Sequence, residues 1–131
     1  MNTPITVLCV DDSAAISAAL SLLVDDERDM KTVGSVEQTA DILPAIRKHR
    51  PAIAVIDLTM DGECPLAVVQ RAAAEFPETK AIIFSGYDDE PTIRKAMDAG
   101  AAGFVSKRVG LEGMIAAIRS VAGGTPVVRA L

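Results

Sequence analysis

Short aliphatic runs in this chain alternate with stretches whose apolar residues recur at helical spacing, and that alternation leaves few folds open. The strand-like runs are Ile5–Val10, Lys31–Val36, Ala52–Leu58, Lys80–Ser85 and Gly103–Lys107. Ala52–Leu58 is the clearest, and Gly34 weakens Lys31–Val36. Helical stripes lie between them. Ile16, Leu20 and Leu23 are spaced i, i+4, i+7, with Ser13 placed to cap them. Ile42, Leu43 and Ile46 predict a helix ending near His49 and Arg50, before Pro51. Pro44 is tolerated only in a first turn, so this helix is expected to start near Asp41 or to kink. Leu66, Val69, Ala73 and Phe76 follow Pro65, a residue suited to the first helical turn. Pro91 to Ala99 predicts a short helix closed by Gly100, with a thin apolar stripe of Ile93, Ala96 and Met97. Leu111, Met114, Ile115, Ile118 and Val121 form the last stripe, ended by Gly123 and Gly124.

Strand followed by helix, five times over, predicts a parallel α/β sheet with helices on both faces. Right-handed crossovers leave a handful of topologies. At 131 residues the chain suits one domain. Half the residues are apolar and only 3% are aromatic, so the core must be aliphatic. That matches strands covered on both sides. The domain is expected to span 1–124, with 125–131 as a linker stub or a terminal strand.

Four of the five runs end on residues that handle phosphate or metal: Asp11 and Asp12, Asp57, Ser85, and Lys107. Strand C-termini of an open parallel sheet share one edge, and ligands bind in the crevice there. One pocket would then hold three carboxylates, a hydroxyl and an ammonium. Two like charges 4 Å apart repel by about 4 kcal/mol at an effective dielectric of about 20. Asp11, Asp12 and Asp57 together therefore call for a hard divalent cation such as Mg²⁺, or for a raised pKa. Asp57 is the candidate nucleophile, since a carboxylate can attack phosphorus to give an acyl phosphate. Lys107 supplies a point charge for the phosphate, and Ser85 a hydrogen bond. Phe104, three residues before Lys107, is either core or a rotamer switch that responds to Ser85. Taken singly, Asp57 reads as a loop cap, Ser85 as a turn residue and Lys107 as a surface lysine. Asp61 and Glu63 read as solvated acids beside the pocket, and His49 as exposed at a helix end.

Composition narrows the partners. A net charge of −5 with no basic run argues against binding a nucleic-acid backbone. No signal peptide and no apolar run of about 20 residues is visible, which predicts a cytoplasmic protein without a membrane span. Cys9 and Cys64 form no pattern and read as reduced thiols.

Four segments bring the chain close to a known family: Val10 to Asp12, Asp57-Leu58-Thr59-Met60, Phe84-Ser85-Gly86, and the run from Gly100 to Lys107. In these, and over nearly its whole length, it resembles the receiver domain of bacterial two-component response regulators. The resemblance implies a flavodoxin-like (βα)5 fold, a doubly wound five-stranded parallel sheet with strand order 2-1-3-4-5. It implies that Asp57 takes a phosphoryl group from a sensor histidine kinase. Asp11, Asp12, Asp57 and the Thr59 carbonyl would hold Mg²⁺, Ser85 and Lys107 would contact the phosphate, and Phe104 would be the switch aromatic. The run from Ala116 to Thr125 resembles receivers joined to LuxR-type helix-turn-helix domains, which bind DNA. No such domain follows here, so the chain is either cut from a longer protein or works alone. A homodimer is left open. Where many receivers place a proline after the phosphorylated aspartate, this chain has Asp61-Gly62, a turn signal, with Pro65 later.

Two other functions fit parts of the pattern. A phosphatase of the haloacid dehalogenase type also uses a strand-end aspartate, but it wants a second aspartate where Thr59 stands. A receiver fold used only for docking or dimerisation, without phosphorylation, is the other.

Overall fold

The computed structural model describes residues 3–60 and 64–130. The elements alternate without exception: β1 (Ile5–Val10), α1 (Ala14–Asp26), β2 (Met30–Val36), α2 (Ile42–His49), β3 (Ile53–Asp57), α3 (Pro65–Glu75), β4 (Lys80–Ser85), α4 (Glu90–Asp98), β5 (Gly103–Ser106), α5 (Leu111–Ala122) and β6 (Val127–Arg129). All strands are parallel, in the order β2-β1-β3-β4-β5-β6. This is the flavodoxin-like sheet with one addition. The expected five strands are six, because Val127 and Val128 pair with Gly103 and Phe104. A Cβ at Gly103 would sit snugly, 3.3 Å from Val121 Cγ2 and 3.4 Å from the Val127 carbonyl. Of the two readings open for the tail, the terminal strand is the one formed.

Local sequence explains the element ends. Ile16 N–H donates to Ser13 Oγ at 3.3 Å, and Ser13 caps α1 as its position suggests. A 3-10 turn at Thr39–Asp41 leads into α2. Pro44 falls in the first turn of α2, where its missing N–H would have had no helical partner anyway. The helix therefore starts at Ile42, one residue past the expected Asp41. His49, expected to be exposed, is half-buried: its Nε2 lies 3.2 Å from where a Gly34 Cβ would be. Gly34 thus serves packing of α2 on β2. The turn expected at Asp61-Gly62, and the acids Asp61 and Glu63, lie outside the described residues.

The side chains of β1 to β5 divide between two cores. Leu8, Val10, Ile56 and Ile83 pack with α2, α3 and α4. Val7, Cys9, Val55 and Ile82 pack with α1 and α5. Every residue of β3 is buried, as a central strand covered on both faces requires. By contrast, α4 buries only Ala96 among its residues.

Gly100 ends α4 at φ +108°, and a Cβ there would meet Ala73 Cβ at 2.9 Å. Strain and clash act together, so Gly100→Ala should cost more than about 1 kcal/mol and lower the urea midpoint without moving the slope. A midpoint equal to that of the wild type would show that the turn relaxes freely.

Candidate functional site

The order of the sheet reverses between β1 and β3, so their C-terminal ends border a crevice. Asp11 and Asp12 follow β1, Asp57 ends β3, Ser85 ends β4, and Lys107 follows β5. The fold therefore collects at one rim residues that are far apart in sequence. Lys107 Nζ lies 3.4 Å from Asp11 Oδ2 and 3.5 Å from Asp57 Oδ1. It also stands 5.7 Å above the Phe84 ring, so the ammonium is held by two carboxylates and one aromatic face. Asp11, Asp12 and Asp57 each offer an oxygen within 4.8 Å of the others. Asp11 and Asp57 are buried, whereas Asp12 is exposed.

Hydrogen bonds fix the carboxylates unequally. Ser13 N–H donates to Asp11 Oδ1 at 2.9 Å. Thr59 donates to Asp57 Oδ1 twice, from its N–H at 3.0 Å and its hydroxyl at 2.8 Å. Asp57 Oδ2 is buried and has no hydrogen-bond partner among the described residues. Burial pushes the Asp11 carboxyl up, and the Asp57 charge adds to that; the Ser13 N–H and Lys107 oppose it. Three carboxylates against one close ammonium leave an excess of negative charge. A buried carboxylate oxygen without a donor, beside two more acids, suits a hard divalent cation.

The family model described as response regulator receiver domain matches residues 7–119. The chain belongs to that family. Over 123 residues the receiver is 29% identical to the oxygen regulatory protein NreC of Staphylococcus epidermidis, covering 93% of this chain and 56% of that protein. It is 30% identical over 120 residues to the response regulator GacA of Pseudomonas aeruginosa, covering 92% and 56%. The chain thus spans little more than half the length of these relatives. A LuxR-family two-component response regulator from an Aurantimonas species shares the fold at a TM-score of 0.90 and 21% identity, over 95% of this chain and 89% of that one. Membership makes the receiver a phosphoacceptor signalling domain.

Within the receiver, Ser85 is fully buried, and its Oγ accepts the Tyr87 N–H at 3.0 Å, which leaves its own proton free to donate. Phe104 is fully buried and packs in the core on the α2, α3 and α4 side. The resemblance assigns Thr59 a role through its carbonyl; what stands out is its pair of hydrogen bonds to Asp57 Oδ1, which fixes that carboxylate. A hydroxyl two residues after a strand-end aspartate is the available signal for that role. Nothing in the sequence pattern marks a second pair beside the site, Asp88 and Arg108, whose partners are 20 positions apart. Cys9 is buried with its thiol pushed up by burial, which makes it unreactive, and Cys64 is exposed. No described helix is long and apolar enough to cross a membrane.

Proposed function

We propose that Asp57 is the phosphoacceptor and that Asp11, Asp12, Asp57 and the Thr59 carbonyl hold Mg²⁺. The single observation that carries this reading is Asp57 itself: one oxygen is pinned by Thr59 and Lys107, while the other is buried without a partner among the described residues. In the transfer, an Asp57 carboxylate oxygen forms a bond to phosphorus, the phosphorus–nitrogen bond of a kinase phosphohistidine breaks, and the departing imidazole takes up a proton. Mg²⁺, held by those residues, would supply charge neutralisation for the transfer. Lys107 follows the phosphoryl charge, and the Ser85 hydroxyl donates to one of its oxygens. Ser85 then draws the start of the β4–α4 loop with it, and Phe104 adjusts to the space. The face made by α4, β5 and α5, of which α4 is weakly anchored, changes shape, which shifts a population between two existing states. Water attack on the acyl phosphate, assisted by the same site, would reset the domain.

The partner is a sensor histidine kinase, the setting is the cytoplasm, and a homodimer is one way of using the switched face. Residues 1–124 act as the receiver unit, with β6 added at the edge of its sheet, and in a longer protein the chain past β6 would lead on to a DNA-binding output domain of the LuxR type. With a net charge of −5, this segment does not itself bind DNA. Incubation with acetyl phosphate and Mg²⁺ should add one phosphoryl group by intact mass. No mass gain at any donor concentration would overturn the reading.

A further inference from the structure

Beside the pocket, the loop between β4 and α4 is tied to the loop after β5 at two points. At one end, Lys107 N–H donates to the Ser85 carbonyl at 2.8 Å. At the other, Arg108 Nε donates to Asp88 Oδ2 at 3.1 Å, and a second guanidinium N–H reaches the same oxygen. Arg108 N–H also donates to Ser106 Oγ at 3.2 Å. The segments Ser85 to Asp88 and Ser106 to Arg108 thus close into a ring, with Ser85 and Lys107 in it. The pair lies at the surface, sheltered on one side only. The Asp88 side chain is only 13% exposed, although that of Arg108 is 57% exposed. The Arg108 guanidinium, and after it the Ser106 hydroxyl, hold the Asp88 carboxyl below the usual range. The next residue is fastened separately: Asp89 accepts from Thr92 N–H and hydroxyl, and so caps α4. Asp88 therefore governs only the short stretch that reaches back to Ser85.

We propose that Asp88 and Arg108 are positioning residues for phosphoryl transfer, their ion pair restricting the loop so that the Ser85 hydroxyl and the Lys107 ammonium need only a small shift to meet a phosphoryl group. The inference rests on the phosphoacceptor reading above. The physical reason is preorganisation. Without the Arg108 contact, residues 86–88 keep only the Ser85–Lys107 tether and the lesser Ser106 contact to Asp88, and the phosphoryl group must order them as it binds. The cation site draws on Asp11, Asp12, Asp57 and Thr59, none of which belongs to the ring.

That separation provides the test. Beryllofluoride mimics the phosphoryl group, and its affinity is measured by calorimetry in saturating Mg²⁺ for the wild type, Asp88→Ala, Arg108→Gln and the double variant. Mg²⁺ affinity is measured alone for each. Both single variants should bind beryllofluoride about tenfold more weakly, as loss of a supporting partner does at other preorganised sites. The double variant should be no weaker than Asp88→Ala alone, because the Asp88–Arg108 contact is already lost there. Mg²⁺ affinity should stay at the wild-type value. Variants that bind beryllofluoride as the wild type does would overturn the role of the pair and leave Asp57 as acceptor. Parallel loss of Mg²⁺ affinity would also overturn it, by showing general damage. A wild type that binds no beryllofluoride would remove the phosphoacceptor reading, and the inference with it.

Discussion

Asp57→Asn should remain folded and gain no phosphoryl mass from acetyl phosphate and Mg²⁺, under conditions in which the wild type is modified. The amide lacks the nucleophilic oxygen charge, so the loss should be complete rather than partial. Folding should survive because the amide oxygen can still accept the two Thr59 hydrogen bonds. Replacing a carboxylate by an amide also removes one charge from a buried acidic cluster, so magnesium-free stability should not fall. Circular dichroism together with intact mass checks both halves. A folded Asp57→Asn variant that still acquires the group would mean that another side chain is the acceptor.

Asp11→Asn should produce opposite effects with and without the cation. Burial and the Asp57 charge raise the Asp11 carboxyl above its unfolded value, so the folded state takes up this proton first. An acid shifted in that direction adds stability below its unfolded pKa and loses it as pH rises through the folded one. At neutral pH its charge is therefore a cost, and the variant should be more stable than the wild type in chelator by about 1 kcal/mol. The Ser13 N–H bond persists on the amide oxygen. With Mg²⁺ the order reverses. At a hundredfold excess over its dissociation constant, a ligand adds about 2.7 kcal/mol to the folded state. The wild type should gain that increment, and the variant should gain little at the same concentration. The chelator-only advantage should also shrink as pH falls, since the wild-type carboxyl is then protonated. Urea unfolding at two pH values, with and without Mg²⁺, measures all of this. An equal Mg²⁺ increment in both proteins would remove Asp11 from the cation site.

The convergence of Asp11, Asp57, Ser85 and Lys107 was legible because each ends an aliphatic run, and parallel strands bring their ends to one rim. The two-sided core was legible for the same reason: runs such as Ile53–Asp57 carry no polar alternation. Other features were hidden. β6 was legible only as one of two readings of the tail: it is three residues long, too short for a period to show, and Gly123, Gly124 and Pro126 before it suit a linker as well. The start of α2 depended on whether a 3-10 turn could precede Ile42, which local propensity does not settle. The Asp88–Arg108 pair joins two loops and exists only once β4 and β5 are paired. The burial of His49 depends on a glycine in a neighbouring strand, which no local pattern reveals.

On the proposed reading, this acidic rim delivers a phosphoryl group to the Asp57 carboxylate with the help of a cation. Peptide mapping of the acetyl phosphate product, with borohydride trapping of the acyl phosphate, tests it most directly. The mark should appear on the peptide that contains Asp57, at one site per chain, and should vanish in chelator. A mark on any other peptide, or one equally strong without Mg²⁺, would contradict the account.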